Sequence, residues 1–244
     1  MANIITRNIP NTITCCNLIS GCIATLSAFM GEIHMALLWI IIGAIFDFFD
    51  GMSARLLHVS SPIGKELDSL ADDVTFGVAP ATIIFAQLSV MEYPAAIECL
   101  RPILPFFAFV VAAFSALRLA KFNLDERQTT SFIGLPTPAN ALFWGSLLAT
   151  HNDWFEGSAY MLPVMLVMIV LSSWLLICEL PMFALKFKHW GWKGNEVKYS
   201  FVGFAIAVLA VSVAAEGARG FLEGWWPIIL MYVLLSWMMF LKKK

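Results

Sequence analysis

Apolar residues occur in long runs separated by short polar junctions. A helix needs roughly 20 apolar residues, at 1.5 Å of rise each, to cross the hydrocarbon core of a bilayer. About eight segments reach that length: 12–30, 36–57, 66–91, 100–121, 134–150, 158–183, 199–215 and 225–241. The pattern predicts an all-α, polytopic integral membrane protein. No repeat, low-complexity tract or large soluble insertion interrupts it, so residues 1–244 are expected to form one membrane-embedded domain.

An even number of spans puts both termini on one side. Arg7, Arg55, Lys65, Arg118, Lys121, Arg127, Lys186, Lys188, Lys193, Lys198 and Lys242 to Lys244 fall at junctions on that side. Only Arg101 and Arg219 fall on the other. The positive-inside rule therefore assigns the basic side, with both termini, to the cytoplasm of a cell (inner) membrane. Glu32, Glu92, Glu98, Asp153, Glu156, Glu216 and Glu223 occupy the short outer turns and read as solvated connectors. Lys186, Lys188, Lys193 and Lys198, interleaved with Phe187, Trp190 and Trp192, suit either anionic headgroups or a plain interfacial anchor, as do Lys242 to Lys244.

Composition agrees: 60% of the residues are hydrophobic and 13% charged, and the mean hydropathy is +0.80. That is outside the range of a soluble domain. Cys15, Cys16, Cys22, Cys99 and Cys178 lack the spacing of a zinc site or disulfide framework and read as small hydrophobes. No small-residue cleavage site closes the first apolar run, which is expected to remain as a helix.

Against this background one polar stretch stands out. It runs Asp47-Phe48-Phe49-Asp50-Gly51-Met52-Ser53-Ala54-Arg55, then eight residues to Gly64, three to Asp68 and three to Asp72. Asp47 and Asp50 are i and i+3 on the second span; Asp68 and Asp72 are i and i+4 on the third, so each pair shares a helical face. Two antiparallel helices with a short connection bring four carboxylates together at the cytoplasmic end. Buried and ionised, these groups repel one another unless cations neutralise them or they take up protons. Hard oxygen ligands suit Mg²⁺ or Mn²⁺. Two such ions, about 4 Å apart, clamp a pyrophosphate during displacement. Gly51 and Gly64 let phosphate or nucleotide approach the backbone. Taken singly, Asp68 reads as a dipole-complementing residue, Gly64 as a loop residue and Arg55 as an anchor. Taken together, four intramembrane carboxylates at helical spacing indicate function.

The pattern D-x2-D-G-x2-A-R-x8-G-x3-D-x3-D resembles the signature of the CDP-alcohol phosphatidyltransferase family at every fixed position. The resemblance implies a membrane enzyme with a six-helix core, usually a homodimer. It also implies a divalent metal pair, a CDP-linked donor and release of CMP. Asp47, Asp50, Asp68 and Asp72 would then be the metal ligands, with Asp72 also the general base for the acceptor hydroxyl. Gly51, Ala54 and Gly64 would line the cytidine site and Arg55 would help hold it. Pro10-Asn11-Thr12-Ile13-Thr14 resembles the family's Pro-Asn-x-x-Thr opening, making Asn11 and Thr14, and less so Asn17, nucleotide candidates. The alternative is that Pro10 to Thr12 simply start a helix.

Three further stretches resemble the phosphatidylserine synthase branch of the family: Gly64 to Asp72 with Thr75 to Pro80, Arg118 to Asn123, and Phe132 to Ala139. The implied substrates are CDP-diacylglycerol and L-serine. A serine pocket needs a cation for the carboxylate; Arg118 and Lys121 are candidates, or ordinary interfacial anchors. Asp73 adds a fifth carboxylate about 100° around the helix from Asp72, free to meet an ammonium or a basic residue, and Asp73→Asn is expected to leave metal binding intact. Competing readings are the same chemistry on glycerol phosphate, inositol phosphate or another amino alcohol, and a divalent-cation transporter. Phosphorylated acceptors call for a denser basic pocket, and no second aspartate cluster or interrupted repeat supports transport.

Overall fold

A computed structural model describes residues 4–59, 61–125, 132–183, 191–192 and 195–241. Arg127, Lys186, Phe187, Lys188, Trp190, Lys193 and Lys242 to Lys244 lie outside these residues, as does the side chain of Arg7. The chain is helical almost throughout: α1 (Ile4–Phe29), α2 (Ile33–Leu56), α3 (Pro62–Asp72), α4 (Ala79–Val90), α5 (Val110–Leu124), α6 (Thr137–Glu156), α7 (Met161–Ile177), α8 (Glu196–Glu216), α9 (Ala218–Glu223) and α10 (Trp225–Leu241). A π-helical turn, Asp73–Val78, joins α3 to α4, and a 3₁₀ turn, Leu104–Phe109, leads into α5.

Among the described residues six rods are long and apolar enough to cross a membrane: Asn8–Phe29, Ile33–Leu56, Pro62–Val90, Leu104–Leu124, Glu196–Glu216 and Ala218–Leu241. The other two expected spans are also helices, but α7 has only 17 residues and α6 loses helical dihedrals at His151. Pro10 lies inside α1, not at its start. The reading of Pro10 to Thr12 as a helix opening is therefore replaced by one in which they form a mid-helix face.

Small residues set the packing, as expected where lipid removes the hydrophobic drive between helices and close van der Waals contact replaces it. Thr75 in the π turn is wedged against Gly21 of α1 and Gly43 of α2, where any Cβ would clash with it. A Cβ on Gly145 of α6 would stand 2.8 Å from Leu37 of α2. Around these seams Ile40, Phe76, Ile83, Ile84, Trp144 and Met165 are fully buried. Trp144 Nε1 donates to Ser172 Oγ at 3.1 Å. Helix α8 differs: 6% of its apolar window is buried within the chain, against 61% for Pro62–Val90, so α8 presents nearly its whole surface to its surroundings.

After α2 the chain turns at His58, which has a left-handed φ of 51°. Ser61 caps α3 by accepting from Gly64 N at 3.0 Å, with Pro62 in the first turn. A second clamp joins α6 to α7: the two-residue strands Phe132–Ile133 and Pro181–Met182 pair antiparallel, and Gly134 N donates to Leu180 O at 3.0 Å. Gly134 has a φ of +75°, and a Cβ there would lie 2.5 Å from Leu176 O. Only glycine fits. This turn sets where α6 begins, and so where Thr137 meets α5.

Candidate active site

Carboxylate oxygens of Asp47, Asp50 and Asp68 all lie within 4.8 Å of one another. Helical spacing puts the first two on one face of α2, and the capped start of α3 brings Asp68 against them. Asp50 is buried, and Thr14 Oγ1 lies 2.6 Å from Asp50 Oδ2. Thr14 thus orients the Asp50 carboxylate and at the same time borders the cleft. Asp68 Oδ1 is buried without a hydrogen-bond partner. Among the described residues no Lys or Arg forms an ion pair with the trio. Three hard oxygen ligands, one of them orphaned, fit a divalent cation.

Asp72 stands apart from this tight group. It is close enough for its charge to be felt by Asp47 and Asp68, but its Oδ1 accepts from Asn17 Nδ2 at 3.1 Å. Asn17, fully buried, holds one carboxylate oxygen of Asp72 and leaves the other free.

A cleft of about 270 Å³ opens beside the trio, lined by Asn11, Thr14, Asp50, Gly51, Ala54, Gly64 and Asp68, together with Pro10, Val59, Ser61 and Lys65. A Cβ on Gly51 would meet nothing within 4 Å, so this glycine faces open space. On Gly64 it would stand 3.0 Å from Asn11 Oδ1. Arg55 is exposed and outside the lining; its Nε donates to Gly51 O at 3.0 Å. Lys65 Nζ donates to Asn123 O at 2.9 Å, and Asn123 Nδ2 to Ser69 Oγ at 2.7 Å, tying α3 to the end of α5.

The two acceptor candidates separate. Arg118 is 7% exposed, within electrostatic reach of Asp72, with NH1 3.4 Å from Thr137 Oγ1 and its guanidinium 5.5 Å from the Phe122 ring centroid. An interfacial anchor would reach outward; Arg118 does not. Lys121 is exposed and borders a small cavity with Arg118, Asp125 and Glu179.

The family model of the CDP-alcohol phosphatidyltransferases matches residues 7–185, well over half of the chain, and the protein belongs to this family. Among curated proteins it is similar to the CDP-diacylglycerol–serine O-phosphatidyltransferase of Bacillus subtilis, 41% identical over 144 residues, covering 59% of this chain and 77% of that protein. It is similar over more of its length to the protein of the same name from Helicobacter pylori, 28% identical over 242 residues, covering 96% and 92% of the two chains. A third of that name, from Methanocaldococcus jannaschii, is 32% identical over 165 residues, covering 66% and 70%.

Sequence reasoning ranked Asn17 low and did not foresee the π turn. Asn17 sits two turns beyond Pro10 on α1, a spacing that would have suggested a shared face. The π turn leaves no compositional trace in Asp73–Val78.

Proposed function

We propose that the protein transfers the phosphatidyl group of CDP-diacylglycerol to L-serine, giving phosphatidylserine and CMP, at the cytoplasmic face of the cell membrane. The observation that carries this reading is the carboxylate trio of Asp47, Asp50 and Asp68 bordering a cleft lined by the glycines of the family signature.

Asp47, Asp50, Asp68 and Asp72 would hold two divalent ions, Mg²⁺ or Mn²⁺, whose charge would stabilise the negative charge that builds on the departing CMP phosphate. Gly51, Ala54 and Gly64 give the cytidine nucleotide room against the backbone, Asn11 offers an amide to it, and Arg55 supplies positive charge near the mouth. Thr14 fixes the Asp50 carboxylate. Asp72, oriented by Asn17, takes the proton of the serine hydroxyl as its oxygen attacks phosphorus. The serine O–P bond forms, the P–O bond to CMP breaks, and CMP leaves with the electron pair. Arg118 pairs with the serine carboxylate through its guanidinium fork, with Lys121 at the entrance.

The basic residues Arg55, Lys65, Arg118 and Lys121 gather at the aspartate end, whereas Arg101, Arg219 and the His34–Glu223 pair, 2.8 Å apart, lie at the other; this supports the cytoplasmic assignment. The assembly proposed is a homodimer of single-domain chains, measurable as mass in detergent. The decisive assay supplies purified protein with CDP-diacylglycerol, Mn²⁺ or Mg²⁺, and each candidate alcohol. Serine-dependent CMP release that chelation abolishes is expected. Its absence under every metal condition, or a preference for glycerol phosphate or inositol phosphate, defeats the serine reading.

A further inference from the structure

We infer that Asp73 reads the ammonium group of the acceptor, in a buried chamber that it shares with Ser115, Arg118 and Asn140 on the side of Asp72 away from Asn17. This rests on the proposed transfer to serine and adds to it the residue that distinguishes a zwitterion from other alcohols.

Asp72 is turned toward Asn17 of α1, whereas the π turn that begins at Asp73 carries its carboxylate toward α5. A Cβ on Gly77 would stand 2.6 Å from Asp73 Oδ1 and 3.0 Å from Ser115 Cβ, so Asp73 and Ser115 meet across that glycine. Ser115 lies one helical turn before Arg118 on α5, and Asn140 one turn beyond Thr137, the hydroxyl nearest the Arg118 guanidinium. The π turn packs against both α5 and α6.

The chamber is unsatisfied. Asp73 Oδ1, Ser115 Oγ, Arg118 Nε, and both Asn140 Oδ1 and Nδ2 are buried without hydrogen-bond partners. Ser115 and Asn140 are fully buried and Arg118 is 7% exposed. Buried polar atoms are nearly always bonded, so five orphans on neighbouring faces mark a space whose occupant supplies the missing bonds. No ion pair joins Asp73 to Arg118 among the described residues, so neither charge neutralises the other by direct contact.

An occupant that satisfies both is a small molecule with an ammonium and a carboxylate. Its hydroxyl is then left for Asp72, whose charge the Arg118 guanidinium feels. A phosphorylated alcohol brings a second anion against Asp73 and no cation for it, and is rejected by repulsion. A small cavity on the other side of Arg118 is bordered by residues of both signs, Lys121, Asp125 and Glu179.

The test measures CMP release by the native protein and Asp73→Asn with L-serine and with 3-hydroxypropanoate, which keeps the hydroxyl and carboxylate and lacks the ammonium. Asp73→Asn should lower kcat/KM for serine by about tenfold or more, mainly through KM, the size of a lost charge-assisted hydrogen bond. It should leave transfer to 3-hydroxypropanoate and Mn²⁺ binding unchanged. Equal losses on both acceptors, or undiminished use of serine, overturns the inference. Should Asp73→Asn not fold, the native protein decides: 3-hydroxypropanoate must compete with serine at least about tenfold more weakly than serine itself, and equal competition overturns the inference. A native protein without serine-dependent CMP release defeats the serine reading itself; an active one with an indifferent Asp73→Asn defeats only the role of Asp73.

Discussion

The cleft beside Asp50 and the chamber proposed beside Asp73 both lie close to the aspartate cluster, yet they are built differently. The cleft is open, about 270 Å³ in volume, and shaped by what its residues lack: Gly51, Ala54 and Gly64 bring almost no side chain to it. The Asp73 region takes its character from buried polar atoms with unmet bonding capacity on three separate segments. A large nucleotide-bearing donor can be recognised by shape against exposed backbone. A small zwitterion offers too little surface for that, and has to be recognised by charges whose desolvation makes them selective.

Substitutions can break this contrast. The largest effect is expected where the two regions meet: Asp72→Asn should lower kcat for serine-dependent CMP release by about 10²–10⁴-fold, the usual contribution of a positioned base. Retention of most activity would remove Asp72 from the reaction. Next comes Gly51→Leu, at a cleft position where a Cβ would meet nothing within 4 Å. KM for CDP-diacylglycerol should rise about tenfold or more while KM for serine holds, and a change in serine KM alone would reverse the assignment of the two regions. Asn17→Ala leaves Asp72 without its amide partner; kcat should fall about fivefold to tenfold, with both KM values nearly constant. Ser61→Ala removes the cap of α3, at a cost of about 1 kcal/mol in stability, read by thermal unfolding in detergent.

The two regions also differ in how far the chain disclosed them. Asp47, Asp50, Asp68 and the glycines lie within one short stretch at helical spacing, so periodicity alone puts them on facing surfaces, whereas Val59, Ser61 and Lys65 join the cleft lining and Arg55 stays outside it. Thr14 and Asn17 were noticed as nucleotide candidates, but their bonds to Asp50 and Asp72 were not foreseen, because spacing shows which residues share a face and not which neighbour a hydroxyl or amide will meet. Asp73, Ser115 and the Thr137–Asn140 pair come from three separate elements and converge only through the π turn and the Gly134 clamp. No one-dimensional pattern records that convergence. The count of eight spans followed from apolar length, which does not record that α6 is broken at His151 or that α7 has only 17 residues.

Thr75, held between Gly21 and Gly43, sets a mechanical limit on the enzyme. With a methyl and a hydroxyl lodged where two helices have no side chains, α1, α2 and the segment following Asp72 cannot slide past one another without driving that side chain into backbone. The spacing of the carboxylates is then a constant of the fold. Nitroxide probes on α2 and α3 should report the same separation before, during and after turnover, and motion should be confined to the mouths of the two cavities.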